Sequence, residues 1–218
     1  EGRMCLYHPL QDKIKTSDIL SGCVFKSLIL DKHDNLIVGT DAGLYIYNMG
    51  THQQHSLVYN AFHQTICNNI IWNLTIDRDD NVWLATDDGV TIMEYPTWYT
   101  YHNIYEFTHN EYGNNFTSIL GDSHNNLWLG GENGLLKLSL PPNQVAATCY
   151  TASDQLHHLH HNRIRQIYED SDHDIWIASD ASIARYNQVT QQFDYYNIIN
   201  RHGETAKWAY TIYEDTKG

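Results

Sequence analysis

Basic residues and long apolar runs are scarce in this 218-residue sequence, and each scarcity excludes a class of partner. Thirteen lysines and arginines stand against 26 aspartates and glutamates, which gives a formal net charge of −13. A surface of that sign repels nucleic-acid phosphates and anionic membranes. The apolar runs reach only a few residues, far below the roughly 18 that a membrane-spanning helix needs. We therefore expect this segment to bind no nucleic acid and to contact no membrane.

Motifs for cysteine-based metal binding and for nucleophilic catalysis are missing as well. The four cysteines, Cys5, Cys23, Cys67 and Cys149, form no CxxC pair, so neither a zinc knuckle nor a thioredoxin-type site is indicated. The sequence also has no G-x-S-x-G elbow, no phosphate-binding loop and no H-E-x-x-H motif. We expect no catalytic residue and no cofactor.

What the sequence does contain is an internal repeat. An aspartate, a short turn and an extended run such as residues 126–131 recur along the chain, each followed by an acidic turn and a second extended run. The aspartates that anchor the copies are 46, 45, 48 and 45 positions apart. The anchors are Asp31, Asp77, Asp122, Asp170 and Asp215.

The composition of each copy predicts antiparallel strands. β-Branched and aromatic residues occur in short runs separated by Asp, Asn and Gly, without a sustained 3.6-residue apolar stripe. Four-stranded units of about 40 to 50 residues are typical of β-propeller blades, which bury their faces only by stacking on neighbours. We therefore predict an all-β protein in which residues 1–218 form a β-propeller segment of about four complete blades, with partial blades at both ends. We expect this segment to belong to a longer propeller.

The repeat closely resembles the two-component regulator propeller repeat. The family pattern runs roughly I-x-x-I-x-x-D-x-x-G-x-L-W-I-G-T-x-x-G-L-x-x-Y, and residues 162–187 and 68–95 fit it. Asn and Asp tolerate the left-handed backbone conformation, so replacing the family's turn glycine by these residues leaves the turn in place. The departures are Asp34, Asp80, Asn125 and His173 for the turn glycine, Ile37 for the tryptophan and Ser182 for the second glycine.

The resemblance carries functional expectations. Repeats of this kind form the periplasmic sensor region of hybrid two-component regulators, chiefly in Bacteroides-like gut bacteria, where they respond to breakdown products of polysaccharides. The resemblance implies a periplasmic, non-enzymatic sensor that binds an oligosaccharide and signals to a histidine kinase elsewhere in the parent protein. Its expected partners are the remaining blades of that parent, with a homodimer as a further candidate. A propeller hydrolase or lyase and a protein-docking scaffold stay open as alternatives.

Comparison of the copies distinguishes architectural from variable positions. Three residues before each anchor the side chain is always aliphatic, which predicts a core position. This core set is Leu28, Leu74, Ile119, Ile167 and Ile212. Four residues before the anchor the side chain is always polar, and we predict that it lines a central channel. This polar set is Ser27, Asn73, Ser118, Gln166 and Thr211.

Five residues before the anchor the chemistry changes from copy to copy. Because such a position is free to specialise, we predict that these side chains contact ligand at the channel mouth. Packing between blades and solvated strand ends is the alternative interpretation. We call these residues the variable row: Lys26, Trp72, Thr117, Arg165 and Tyr210.

The anchoring aspartates allow a calcium interpretation and a structural one. The segment that begins at Asp77 starts like an EF-hand loop, but Val82 and Asp88 stand where that loop needs glycine and glutamate. An aspartate present in every copy is instead typical of turn capping. We expect each anchor to accept backbone N–H bonds from residues two or three positions further on.

Two further stretches have a biased composition. Histidines at such close spacing can ligate zinc or copper and titrate near neutral pH, but no cysteine or carboxylate can be assigned to complete a site. These weak metal candidates are His157, His158, His160 and His161. The second stretch, 98–116, is rich in aromatic residues that could stack on sugars, although outer blade strands are normally aromatic. We expect packing for these aromatics and no bound metal.

Overall fold

The computed structural model describes residues 4–17, 22–59, 66–94, 100–102, 115–139, 147–155, 158–206 and 208–215. Within these ranges the regular structure is entirely β-strand. The same ranges contain no helix long and apolar enough to cross a membrane. The fold class predicted from the repeat is therefore confirmed.

The strands form four sheets of four strands each, preceded by a two-stranded hairpin. The hairpin consists of β1 (Met4–His8) and β2 (Lys13–Ser17). Blade I contains β3 (Phe25–Leu30), β4 (Asn35–Thr40), β5 (Leu44–Asn48) and β6 (Gln54–Leu57). Blade II contains β7 (Ile71–Ile76), β8 (Val82–Thr86), β9 (Gly89–Met93) and β10 (Thr100–His102). Blade III contains β11 (Phe116–Gly121), β12 (Asn126–Gly131), β13 (Gly134–Ser139) and β14 (Ala147–Tyr150). Blade IV contains β15 (Ile164–Glu169), β16 (Ile175–Ser179), β17 (Ile183–Asn187) and β18 (Gln192–Tyr196).

Each blade is an antiparallel meander in which neighbouring strands follow one another in sequence. After β18 the chain returns to the first strand of blade IV. The backbone N–H of Ala209 bonds to the Ser179 carbonyl oxygen at 3.0 Å, and that of Ile212 bonds to Gln166 Oε1 at 2.6 Å. Residues 208–215 therefore lie beside blade IV, where the first strand of a fifth blade was expected.

The core lies between the blades. Three clusters of buried side chains join blades I and II, II and III, and III and IV. Members contributed by the two blades of each pair include Leu44 with Leu74, Ile92 with Ile119, and Trp128 with Ile167. Because no cluster is confined to one sheet, each blade buries its apolar surface by stacking on its neighbours.

The prediction that the core set is buried is confirmed in blades II, III and IV and is wrong in blade I. Leu74, Ile119 and Ile167 have 4 to 5% of their surface exposed, whereas Leu28 has 59%. The side chain at this position faces the preceding blade, and the described residues of the hairpin leave Leu28 uncovered. Ile212, in the segment beside blade IV, is half-buried.

Glycine in the second strand permits the close approach of the next blade. A Cβ atom on Gly130 would lie 2.5 Å from Ile164 Cγ2, and one on Gly39 would lie 2.7 Å from Ile71 Cγ2. Both isoleucines begin the first strand of the following blade. A side chain at either glycine would therefore push two blades apart.

The anchoring aspartates cap their turns, as predicted. Asp122 Oδ1 accepts the backbone N–H groups of His124 at 2.9 Å and Asn126 at 2.7 Å, so the bonded residues are two and four positions further on. Asp122 Oδ2 also accepts Trp128 Nε1 at 2.8 Å. The residue three positions after the anchor adopts a positive φ of 62 to 68°, which explains why Asn and Asp replace glycine there. His173 adopts the same conformation with φ 68°.

Candidate functional site

The same irregularity interrupts the first pair of strands in every blade. In blade I, Phe25 pairs with Thr40 and Ser27 pairs with Gly39, so Lys26 is left out of the ladder. The corresponding register shift occurs in the other three blades. A bulge of this kind frees one residue from the pairing and re-aims its side chain. The bulged residues are Lys26, Trp72, Thr117 and Arg165, four of the five members of the variable row.

The structure brings members of the variable row into contact across blades. Lys26 Nζ lies 4.3 Å from the ring centroid of Trp72, and Arg165 Cζ lies 5.0 Å from that of Tyr210. Both distances suit cation–π attraction. Thr117 instead donates its hydroxyl to the backbone oxygen of Ile164 at 3.1 Å. Lys26 and Tyr210 are exposed and the other three members are half-buried, so the row has an accessible surface.

Acidic residues after the second strand hold two of the half-buried members, Trp72 and Arg165, in place. Trp72 Nε1 donates to Asp87 Oδ1 at 2.5 Å. Arg165 donates from Nε to Asp180 Oδ1 at 2.6 Å and from Nη2 to Oδ2 at 3.1 Å. This bidentate contact holds the pKa of Asp180 below its ordinary value and raises the pKa of Arg165. Sequence reasoning did not assign Asp87 and Asp180 to the site, although the recurring acidic turn was the available signal.

The polar set joins successive first strands. Ser27 Oγ donates to Asn73 Oδ1 at 3.2 Å, linking blades I and II. Ser118 is fully buried and its hydroxyl accepts the Ile167 backbone N–H at 2.9 Å. In a strand, adjacent side chains point to opposite faces. Ser27, Ser118 and Gln166 accordingly bond to the blade or segment that follows, and Asn73 accepts a bond from the preceding blade. The core set faces the preceding blade. Gln166 binds the segment beside blade IV as described, and Thr211 is exposed. A channel-lining role for the set stays a prediction.

The described histidines of the biased loop pack against an aromatic ring. His160 stacks on Tyr195 with ring centroids 3.4 Å apart and planes 8° from parallel, and its centroid lies 5.9 Å from that of His158. Burial, and then the neighbouring His158, lower the pKa of His160. His161 Nδ1 accepts the Arg163 backbone N–H at 3.0 Å. His157 lies outside the described residues, and among those described no three His, Cys, Asp or Glu side chains are arranged to hold a metal ion.

The structure describes only part of the aromatic stretch 98–116. Phe116 is buried in the cluster between blades II and III, as the packing interpretation predicts. Tyr101 lies in β10. The other aromatic residues of the stretch lie outside the described residues, so the sugar-stacking hypothesis stays a prediction for them.

Comparison with known proteins identifies the class of repeat. Residues 113–133 and 158–181 match the family described as two component regulator propeller. Together with the stacked four-stranded blades, these matches define a β-propeller built from such repeats. The chain therefore contains two-component regulator propeller repeats, as the sequence pattern predicted. No curated protein sequence matches it.

Solved structures support the same fold. The extracellular domain of BT4673 from B. thetaiotaomicron, described as a hybrid two component system, is 38% identical with a TM-score of 0.53, over 100% of this chain and 30% of that one. The corresponding domain of BT3049 from the same organism is 21% identical with a TM-score of 0.69, over 84% and 26%. Virginiamycin B lyase from Staphylococcus aureus, at 12% identity and a TM-score of 0.62 over 90% and 60%, shares the fold alone. This chain spans 30% of the length of the BT4673 domain.

Proposed function

We propose that the chain is part of the extracytoplasmic sensor propeller of a hybrid two-component regulator and that it binds an oligosaccharide derived from a polysaccharide. The bound sugar would contact the variable row. The observation that supports this site is that one bulge, repeated in every described blade, presents a different side chain each time. A scaffold that keeps its backbone and changes its chemistry at one edge is suited to recognise an asymmetric ligand.

The chemistry of the row is compatible with sugar. Trp72 and Tyr210 offer aromatic faces, while Lys26 and Arg165 offer hydrogen-bond donors. The Thr117 hydroxyl donates to Ile164, and its oxygen can still accept a bond. The acid contacts described above fix Trp72 and Arg165 before a ligand arrives, which reduces the entropy lost on binding. A ligand that spans several members of the row would bridge several blades.

Signalling would follow from differential affinity. A sugar that binds one arrangement of the propeller more tightly than another shifts the population toward the first arrangement. The kinase would respond to that shift through the remaining parts of the parent protein. Location outside the cytoplasm, in the periplasm, is supported by the similarity to extracellular domains.

Further blades of the parent propeller would stack on the two outer blades. Leu28 and Leu30 are each 59% exposed on blade I, and Trp208 and Tyr213 are 60% and 82% exposed beside blade IV. A homodimer would cover the same surfaces. Sedimentation of the chain alone and of the parent domain distinguishes the two, because only the dimer requires association of the shorter chain.

Calorimetric titration with a panel of oligosaccharides tests the sensor function. We expect one class of sugar to release binding heat and to be recovered uncleaved. Trp72→Ala and Arg165→Ala should each weaken binding by about tenfold, as expected for loss of one well-placed contact. Tyr213→Ala is the matched control, because it removes an exposed aromatic ring outside the row.

The alternatives give different results in the same samples. Shorter products would identify a hydrolase or a lyase. Absence of binding heat, together with a stable protein partner in a pull-down, would identify a docking scaffold. Equal loss of affinity in Tyr213→Ala would contradict the assignment to the variable row.

A further inference from the structure

A carboxylate links blades III and IV at the end of the first strands that lies next to the anchoring aspartates. Glu169, the residue before the fourth anchor, accepts the backbone N–H of Ser123 with Oε1 at 3.0 Å and Oε2 at 2.9 Å. Ser123 is the residue after the third anchor. The next junction repeats the arrangement, since Glu214 accepts the backbone N–H of Ser171 at 2.8 Å and its hydroxyl at 2.7 Å.

The junction between blades I and II is closed by a different pair. The residue before the second anchor is Ile76, which carries no charge, and the residue after the first anchor is Lys32. Lys32 reaches the Asp80 carboxylate of blade II and forms an ion pair with it. In each of these three junctions, therefore, a carboxylate of the following blade, or of residues 208–215 after blade IV, binds the residue after the preceding anchor.

The junction between blades II and III lacks this carboxylate. The residue before the third anchor is Gly121, and the residue after the second anchor is Arg78. A cleft of about 230 Å³ opens here, lined by Arg78, Gly121, Asp122 and Asn126 among others. Within the described part of the chain, neither the guanidinium nor the backbone N–H of Arg78 has a hydrogen-bond acceptor. We call this space the Arg78 cleft.

The carboxylates that border the cleft are already bound by their own donors. Asp77 accepts the backbone N–H of Asn81 at 2.9 Å and Trp83 Nε1 at 2.7 Å. Asp122 accepts the equivalent set in blade III, and Glu169 accepts Ser123. Arg78, which is exposed, is consequently the charged group of the cleft that has no bond to another of the described residues.

We propose that the Arg78 cleft binds the carboxylate of a uronic acid residue in an acidic oligosaccharide. The ligand carboxylate would take the place that glutamate occupies in the two later junctions, on the guanidinium and backbone N–H of Arg78. Arginine binds carboxylates in bidentate geometry, which gives direction as well as affinity. The amide oxygen of Asn126, which also lines the cleft, can accept a bond from a sugar hydroxyl. The volume suits one pyranose ring.

This cleft is separate from the variable row. It lies at the ends of the strands beside the anchors, whereas the bulges lie at the opposite ends of the first strands. Binding in the cleft therefore does not depend on the function proposed for the row. The site adds a specific sugar class, acidic rather than neutral, to a protein whose net charge of −13 would otherwise disfavour anions.

Nuclear magnetic resonance titration of the ¹⁵N-labelled 218-residue chain tests the proposal. The probes are methyl glucuronide, methyl glucoside as the neutral equivalent, and N-acetylglutamate as a dicarboxylate without a sugar ring, all at one ionic strength. We expect methyl glucuronide to shift the amide signals of Arg78, Gly121 and Ser123. The neutral sugar should leave them unchanged, and N-acetylglutamate should bind at least about tenfold more weakly.

Two variants with matched controls sharpen the test. Gly121→Glu restores the carboxylate of the other junctions and should weaken glucuronide binding at least about tenfold. Gly121→Ala should retain binding, because a Cβ there meets its nearest atom, the Ile76 oxygen, at an ordinary 3.6 Å. Arg78→Gln should lose binding and Arg201→Gln, at an exposed turn elsewhere, should retain it. Trp72→Ala should also retain it, which separates this cleft from the variable row.

Three results would overturn the proposal. They are the absence of glucuronide shifts in the unmodified chain, undiminished binding by Gly121→Glu, and equal binding of N-acetylglutamate. The last result would assign the cleft to carboxylates in general and would remove the sugar from the inference.

Discussion

Leu28 in blade I and Ile119 in blade III occupy the same position of the repeat, yet their exposed fractions are 59% and 4%. Both are aliphatic, both lie in the first strand of a four-stranded blade, and both belong to sheets with the same pairing order. The difference is the neighbour. Ile119 packs against blade II, whereas the corresponding face of blade I carries Leu28 uncovered.

The comparison shows which interactions make the core. Hydrogen bonds within a blade are equivalent in blades I and III, but apolar burial depends on stacking. Each stacked junction removes two sheet faces from water at once, and burial of a large aliphatic side chain contributes about 2 kcal/mol. In the part of the chain that the structure describes, blade III is stacked on both faces and blade I on one, so we expect equivalent substitutions to have larger effects in blade III.

Truncation of the core position should give the largest contrast. Ile119→Ala should lower the free energy of unfolding by about 3 kcal/mol, because it removes a buried side chain and leaves a cavity. Leu28→Ala should change it by no more than about 0.5 kcal/mol, as usual for an exposed site. Urea unfolding followed by tryptophan fluorescence measures both. Equal losses would show that Leu28 is covered in solution.

Removal of the anchor should give the second contrast. Asp122 is 4% exposed and accepts bonds from backbone groups and from the Trp128 indole, so Asp122→Ala should cost about 2 kcal/mol. Asp31 accepts the same backbone donors, but Ile37 stands at the repeat position of Trp128 and donates no bond. Asp31→Ala should therefore lower the free energy of unfolding by about 1 kcal/mol. Thermal unfolding of both variants measures the difference. A larger loss for Asp31→Ala would contradict the role assigned to the indole.

Filling the close approach between blades should give a smaller effect. Gly130→Ala forces a Cβ against Ile164 and should destabilise the chain by about 1.5 kcal/mol through overpacking. Gly50→Ala is the control, because its Cβ would meet its nearest atom, Asn48 Oδ1, at 3.5 Å. Urea midpoints at constant slope measure both. An unchanged midpoint for Gly130→Ala would mean that the blades stack more loosely than the structure indicates.

The smallest effect concerns pH. The pKa of His160 is lowered in the folded chain, so the unfolded chain binds more protons below about pH 6.5, the ordinary histidine pKa. His160 therefore leaves the free energy of unfolding unchanged above that pH and lowers it as the pH falls further. His160→Phe keeps a ring against Tyr195 and should reduce the loss of stability between pH 7.5 and 5.5. An identical loss in the variant would exclude His160 as a contributor.

The repeat predicted much of the fold because the features that define each blade depend on residues close together in sequence. The anchors, the turns with positive φ and the strands that follow them depend on residues a few positions apart. Leu28 shows where local reasoning fails, since exposure depends on a neighbouring sheet. The capping residues were also misplaced by one position: the bonds come from residues two and four after the anchor, not two and three.

Sequence variation selects the residues of the candidate site, whose role in ligand binding stays a prediction, but it does not give their geometry. Variation between copies identified Trp72 and Arg165, whereas the bulge that frees them depends on strand register and is invisible in one sequence. Asp87 and Asp180 were visible only as a recurring acidic turn. The residues that flank each anchor do not single out the Arg78 cleft, because Ile76 as well as Gly121 lacks the glutamate found at Glu169, and the Lys32–Asp80 pair is seen only in the structure.

Native-state hydrogen exchange of the central strands β4 and β12 tests the stacking account most directly. Both strands are paired on two sides within their own blades. We predict that the amides of β12 exchange only through opening close to global unfolding. Those of β4 should exchange through a local opening of lower free energy, because among the described residues blade I is stacked on one face only. Equal protection of the two strands would contradict the account, since it would show that each blade is stable without regard to its neighbours.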